Sequence, residues 1–218
     1  MHSSMRISQP RTLTPIVLPG DRFGDDDAAL LRALKAGDIH AASRFYERYA
    51  NHIARVLTRI LGPDRELADL INDTFCAAYA SIHRLKDSDK MKAWITKIAV
   101  HVARSCIRKR QRRRALWFRY ESDYSEPLHV PEPEDPDVND ALSAVQMVLA
   151  KMSLEHRIVF SLRFIEQLDL TAVAEACGVS LATVKRRIQR AEGEFAALAR
   201  KHDCLAERMA RTEKWESR

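Results

Sequence analysis

A chain of 218 residues with 36 Lys and Arg against 30 Asp and Glu carries a formal net charge of +6 and a sequence pI near 9.3. That length accommodates two modest domains, and so small a basic excess points to a polyanionic partner only where the cations cluster. Cys76, Cys106, Cys177 and Cys204 are too widely spaced for a metal-ligand pair and too few for a disulfide framework, which fits a reducing cytosol. No apolar run is long enough to cross a bilayer and no export-type apolar segment opens the chain, so a cytoplasmic protein without membrane insertion is expected.

Residues 1–24 carry Pro10, Pro15, Pro19 and Gly20 without apolar periodicity and read as an extended arm. Helical patterning begins at Asp25. A short first segment stops near Gly37, after which Ala42, Phe45, Tyr46, Tyr49, Ile53, Val56, Leu57 and Ile60 recur at steps of three and four up to Gly62-Pro63. That spacing predicts one helix of about twenty residues, roughly 30 Å long. Asp64 is placed to cap the next helix, whose buried side is Leu67, Leu70, Ile71, Phe75, Ala78, Tyr79 and Ile82. A polar interval with Asp87, Ser88 and Asp89 precedes a third long helix with the apolar row Met91, Trp94, Ile95, Ile98, Val102 and Cys106. None of these helices buries its stripe alone, so residues 25–118 are expected to form one bundle.

From Glu121 to Asp140 there are eight acidic residues, four prolines and no Lys or Arg. Such a composition is extended and solvated, and residues 119–137 are read as a flexible acidic linker. Helical periodicity resumes with Val138, Ala141, Leu142, Val145, Val148 and Leu149, followed by a helix holding Leu154, Ile158, Val159, Leu162 and Ile165. This second bundle spans 138–200 and is expected to have its own core, with 201–218 as a tail. The fold class is therefore all-α, with two helical bundles and a linker between them.

Two surfaces point to nucleic acid. In the second bundle, Asp169 can cap a short helix with Val173, Ala174 and Cys177, the chain turns at Gly178-Val179, and Ser180 can cap a longer helix. That last helix has an apolar stripe of Val184, Ile188, Ala191, Phe195 and Leu198, while Lys185, Arg186, Arg187, Gln189 and Arg190 crowd its other sides. A helix held from behind with a cationic N-terminal half is the build of a helix-turn-helix, and Thr183 and Lys185 to Arg187 lie early enough to meet bases or phosphates. The bland alternative is a helical hairpin with solvated cations.

In the first bundle, the helix beginning near Asp89 has a second stripe of Lys97, His101, Arg104, Arg108 and Arg112, and Arg104 to Arg114 holds seven cations and no acid. Over about 15 Å such a run needs an anionic partner or full solvation, and a phosphate backbone supplies the former. Trp94 reads more readily as a core anchor than as a stacking platform. The interval from Arg84 to Lys90 sits where an extruded base could approach.

Taken together, these elements resemble the sigma factors of bacterial RNA polymerase, specifically the extracytoplasmic-function group of the sigma-70 family. Ala68 to Phe75 resembles the segment that docks on the polymerase, and Ala93 to Ala99 followed by Arg108 to Arg110 resembles the segment that melts and holds the minus-10 element. Leu154 to Leu168, Leu170 to Ser180 and Thr183 to Ala191 resemble the domain that reads the minus-35 element. The resemblance implies a transcription initiation factor that binds core RNA polymerase through Asp69, Asn72 and Asp73. Arg84, Lys86, Ser88, Lys90, Trp94, Lys97, His101, Arg104 and Arg108 would meet minus-10 DNA, and Ser180, Thr183, Lys185, Arg186, Arg187 and Arg190 minus-35 DNA. It also implies an anti-sigma factor, and it implies no cofactor. Where the family commonly has Asn and Asp on the melting helix, this chain has His101 and Ser105, which leaves the promoter sequence open.

The competing reading is a helix-turn-helix regulator acting without sigma activity, which leaves the cation-rich helix of the first bundle unexplained. An enzyme is the weakest fit: Asp25 to Asp27 and the scattered histidines form no metal-ligand pattern and no nucleophile with its base, so no catalytic or metal residue is assigned.

Overall fold

The computed structural model describes residues 26–117 and 136–206, with side chains from 26 to 113 and from 143 to 206. The arm before 26, the acidic stretch up to 135 and the tail after 206 lie outside the described residues. Eight α-helices follow in order: α1 (Asp27–Lys35), α2 (Ile39–Leu61), α3 (Leu67–Ser81), α4 (Met91–Trp117), α5 (Pro136–Lys151), α6 (Leu154–Phe160), α7 (Leu170–Cys177) and α8 (Leu181–Ala199). Short 3-10 turns at Ile82–Arg84 and Ser88–Lys90 join α3 to α4, and a π-helical turn at Ser161–Ile165 continues α6.

Local chemistry accounts for most boundaries. Asp26 and Asp38 cap α1 and α2 by accepting two backbone N–H groups each. Gly62 ends α2 at φ 83°, a conformation that favours glycine. Asp64, expected to cap α3, instead accepts from the Glu66 N–H in the turn before it; the N-cap position is Glu66, which makes no side-chain cap bond. Helix α5 starts at Pro136, two residues before the expected 138, because proline lacks only an N–H that the first helical position does not need.

Helices α2, α3 and α4 form the first cluster, with α1 laid on α2, and α5 to α8 form the second. Phe45, fully buried in α2, meets Tyr49, Phe75 and Tyr79 at ring-centre distances of 5.2, 5.5 and 5.9 Å. Removing so large a buried ring costs about 3–5 kcal/mol. The two clusters do not keep wholly separate cores. One continuous apolar core runs from Leu30 to Ala191, and a small satellite joins Ala144, Val148, Ala199 and Leu205. The cause is α4, whose buried residues include Ile95, Ala99, Val100, Ala103 and Ile107, and which packs on α2 and α3 and also on α7.

Polar contacts seal this junction. Arg157 of α6, 9% exposed, donates from Nε to the Ile60 carbonyl at 2.6 Å and from Nη2 to the Leu61 carbonyl at 2.8 Å. These are terminal carbonyls of α2, left without helical donors once Gly62 turns away, so the second cluster caps a helix of the first. Burial, reinforced by Arg110, pushes the Arg157 guanidinium down to about 10, leaving it charged at neutral pH. The π-turn brings Glu166 against α2, 3.5 Å from Arg55 and 3.8 Å from Nδ1 of His52.

His52 is buried and neutral. Thr96 spends its hydroxyl proton on the Lys92 carbonyl at 2.7 Å, so its oxygen accepts from Nε2 of His52 at 2.8 Å. Burial, then Lys92 and Arg55, hold the imidazole down at about 4, and Arg55 already shares the Glu166 carboxylate. An unfolded histidine titrates near 6.5, so below that pH the unfolded chain binds a proton that the folded chain refuses. Stability is thus unaffected above about 6.5 and falls as pH drops towards about 4. Urea melts at pH 7 and pH 5 should show wild type losing about 2 kcal/mol more than His52→Gln over that interval. Equal losses in the two proteins would remove His52 as the source.

Candidate nucleic-acid interface

Three surfaces hold the residues singled out in the sequence. On α3, Leu70, Thr74, Phe75 and Ala78 turn inward, which leaves Asp69, Asn72 and Asp73 exposed together on the outer side. The face is compact and acidic, suited to a basic protein surface and unsuited to a phosphate backbone.

On the first cationic surface, Arg84, Lys86 and Lys90 are exposed on the connection between α3 and α4, with Ser88 partly so. Asp87 holds this loop by accepting from the Asp89 N–H at 3.0 Å. Lys97 and His101 are exposed one turn apart along α4, Arg108 is exposed two turns further on, and Arg112 extends the row. Trp94 is half-buried and packs on the core, in keeping with an anchor. Arg104 departs from the expected open stripe. Only 17% of its side chain is exposed, and it forms a two-pronged ion pair with Glu155 of α6, Nε to Oε1 at 3.0 Å and Nη2 to Oε2 at 3.2 Å.

The cation run is thinned further at Arg110. Its guanidinium donates to Asp64 at 2.9 Å and to Glu66 at 2.6 Å, tying α4 to the turn before α3. Burial works against the Asp64 carboxylate, but hydrogen bonds from Arg110 and the Glu66 N–H prevail and hold it below its ordinary range. Its bonds to the Asp64 and Glu66 carboxylates in turn raise Arg110. Arg104 and Arg110 are therefore closely engaged by the chain's own carboxylates, and Arg108 lies at the outer limit of an ion pair with Glu155, 3.9 Å away.

The second cationic surface is built on a tight turn. Asp169 caps α7 through the Thr171 and Ala172 N–H groups, both at 2.8 Å. Gly178 ends the helix in the left-handed region at φ 68°, and the Val179 N–H returns to the Ala174 carbonyl at 3.1 Å. Ser180 caps α8 by accepting from the Thr183 N–H at 3.2 Å, and the two hydroxyls lie 2.9 Å apart, so both side chains are also parts of the cap. Val184, Ile188 and Ala191 hold α8 from behind. Lys185, Arg186 and Arg190 stand exposed, whereas Arg187 is 26% exposed and donates to Glu155 Oε2 at 2.7 Å. This is the expected helix-turn-helix with one of its cations occupied.

Among the described residues no cluster of three or more His, Cys, Asp or Glu side chains could hold a metal, and no helix is long and apolar enough to cross a membrane. Comparison with known proteins decides what the arrangement is. The family profile for sigma-70 region 2 matches residues 45–113, which cover α2 to α4, and that for sigma-70 region 4 matches residues 142–193, which cover the turn and most of α8. The chain belongs to the extracytoplasmic-function sigma factors. It is 28% identical over 175 residues to the RNA polymerase sigma factor NccH of Alcaligenes xylosoxydans xylosoxydans, covering 79% of this chain and 94% of that one. To the ECF RNA polymerase sigma factor SigW of Bacillus subtilis it is 27% identical, over 73% of this chain and 89% of the other.

Its fold is similar to that of CnrH in complex with the cytosolic domain of CnrY, with a TM-score of 0.55 and 22% identity over 79% of this chain and 96% of that one. It is also similar to the sigma factor RpoE in complex with the anti-sigma factor NepR from Bartonella quintana, with a TM-score of 0.54 and 21% identity over 72% and 94% of the two chains. Sigma factors of this kind are not enzymes. The region 2 match contains the α3 face and the α4 stripe, and the region 4 match contains the helix-turn-helix.

Sequence reasoning missed Glu155, Arg157 and Glu166, because their partners are far away in the chain. The only local signal was an Arg set directly beside the apolar pair Ile158 and Val159. In this sigma factor Arg110 is distinguished from its cationic neighbours by its partners. Arg110→Ala should cost about 2 kcal/mol by leaving the Asp64 carboxylate uncompensated, whereas Arg108→Ala should stay within about 0.5 kcal/mol. Thermal melts of the two variants measure the contrast, and equal melting temperatures would refute it.

Proposed function

We propose that this sigma factor binds core RNA polymerase, recognises the minus-35 and minus-10 elements of a promoter and promotes opening of the DNA. The observation that carries the proposal is the presence in one chain of two cationic helices, α4 and α8, each backed by core and each lying mostly in its own region match. Asp69, Asn72 and Asp73 would take a basic surface of the polymerase. Lys97, His101, Arg104 and Arg108 would follow the minus-10 strand, with Trp94 behind them and Arg84, Lys86, Ser88 and Lys90 around an extruded base. Lys185, Arg186, Arg187 and Arg190 would enter the minus-35 major groove, with Ser180 and Thr183 at the helix start where hydroxyls and N–H groups reach phosphates.

Polymerase supplies the chemistry of RNA synthesis. The factor contributes binding energy that is larger for opened than for closed promoter DNA, which shifts that equilibrium. Solved relatives held with CnrY and with NepR support an anti-sigma partner for this chain as well. The cytosol, where polymerase and promoter DNA are, is the compartment the function requires.

The test combines purified protein with core polymerase and a randomised promoter library and reads the transcribed sequences. Wild type should enrich paired elements at fixed spacing. Changing Lys185 and Arg187 to Ala should erode preference in the upstream element, with about 1–3 kcal/mol of discrimination lost per base contact. Changing Lys97 and Arg104 to Ala should impair strand opening even where recruitment survives. Reversing Asp69 and Asp73 to Lys should weaken core polymerase binding by about tenfold or more with an unchanged circular dichroism spectrum. Specific DNA binding by the isolated chain, with no library member transcribed, would replace the proposal with that of a regulator acting without sigma activity.

A further inference from the structure

Helix α8 has an outward face that its cations do not exhaust. Opposite the buried row of Val184, Ile188 and Ala191, the residues Ala182, Arg186, Gln189 and Gly193 follow one another at steps of four, three and four, and all are exposed. Both ends of that row are low. Ala182 stops at a methyl group, and a Cβ on Gly193 would meet nothing within 4 Å. No packing among the described residues therefore calls for glycine in the middle of this helix, where it is a poor helix former. Arg186 and Gln189 are the side chains that project between the two low ends.

Three of the six residues given above to the minus-35 element have commitments of their own. The Ser180 hydroxyl accepts from the Thr183 N–H and lies 2.9 Å from the Thr183 hydroxyl, and Arg187 donates to Glu155. Lys185, Arg186 and Arg190 stay exposed, and each can satisfy itself on phosphate, a contact that carries no sequence information. Gln189 differs from them in chemistry. Its side chain ends in one planar amide with donor and acceptor side by side, and that amide has no partner among the described residues. A phosphate backbone offers only acceptors and would leave Oε1 of Gln189 unused. An adenine edge in the major groove offers N6–H as donor and N7 as acceptor, which match Oε1 and Nε2 of the glutamine in one plane.

We propose that Gln189 is a specificity-determining residue that reads an adenine of the minus-35 element, next to the base pair met by Arg186. The assignment rests on the reading of α8 as the minus-35 helix. Three residues advance about 4.5 Å along a helix axis and successive bases of one strand about 3.4 Å, so side chains at 186 and 189 reach neighbouring pairs. The Arg186 guanidinium suits guanine O6 and N7 at its pair. Ala182 and Gly193 let the helix backbone come close to the DNA on either side of the two reading residues.

The test uses the full chain with core polymerase on templates that keep the minus-10 element selected by wild type and randomise the minus-35 element, with transcript yields read by sequencing. Wild type should favour adenine at one position by about tenfold or more. Gln189→Ala should erase that preference and leave the other positions as they were. Gln189→Glu exchanges the donor for a second acceptor, which suits cytosine N4–H and repels adenine N7, so the preference at the same position should turn to cytosine. A general loss of yield from the added charge cancels, because each preference is a ratio within one library. Arg186→Ala should flatten the adjacent position.

The side chain is exposed and without a partner among the described residues, and circular dichroism verifies that both variants fold. An equal fall on every template with Gln189→Ala is the mark of a phosphate contact and would overturn the assignment. Flattened positions more than two pairs apart would overturn the placement beside Arg186. If wild type selects paired elements and both glutamine variants select the same ones, the role of Gln189 fails alone. If wild type directs no transcription, the reading of α8 as a promoter helix fails and takes this role with it.

Discussion

Everything in this molecule is arranged around the double burial of α4. One helix must pack on α2 and α3, pack again on α7, and still present cations outward. At 3.6 residues per turn those demands leave a narrow sector, and Lys97, His101 and Arg108 occupy it. Small residues such as Ala99 and Ala103 let neighbouring helices come close, so the helix is rigidly seated along much of its length. The strand-holding role proposed for this surface needs that rigidity, since side chains on a fraying helix would lose on ordering much of what they gain on contact.

Within that frame, carboxylates and carbonyls sort the arginines into trades. Arg110 is committed to Asp64 and Glu66, Arg157 to the end of α2, and Arg104 and Arg187 to Glu155, while Arg186 and Arg190 remain open to solvent. The overall excess of +6 conveys none of this. What decides the character of each surface is which cations have acids within reach, and that is a property of the fold.

The helices themselves were legible because burial imposes a period on the sequence. The stripes of α2, α3 and α8, the caps at Asp169 and Ser180 and the glycine stop at Gly178 all follow from contacts within a few residues. The boundary at the acidic stretch was legible in composition, and the exposed face of Asp69, Asn72 and Asp73 in helical geometry. The shared core was not, because the residues of α4 that meet α7 carry the same apolar character as those that meet α2. The occupation of Arg104 by Glu155 bridges 51 positions, and no local pattern signals it. Asp64 misled for a related reason: its spacing suits a cap, but it lies in the turn ahead of α3, bonded to the Glu66 N–H and claimed by Arg110.

The sharing of one carboxylate between two helices also constrains how such a protein can diverge. Under the proposed function Arg187 lies where a change of side chain would retune the sequence read in the major groove, and it shares one carboxylate oxygen, Glu155 Oε2, with Arg104. A substitution at 187 therefore alters what Glu155 offers to Arg104, and with it the freedom of the helix that would hold the melted strand. If these arginines read DNA as proposed, drift in the preference for one promoter element is linked through Glu155 to the other, so relatives that acquire new upstream sequences should carry compensating changes at 104 or 155. Mutational effects at these three positions are expected to be non-additive, so their tolerance must be measured jointly.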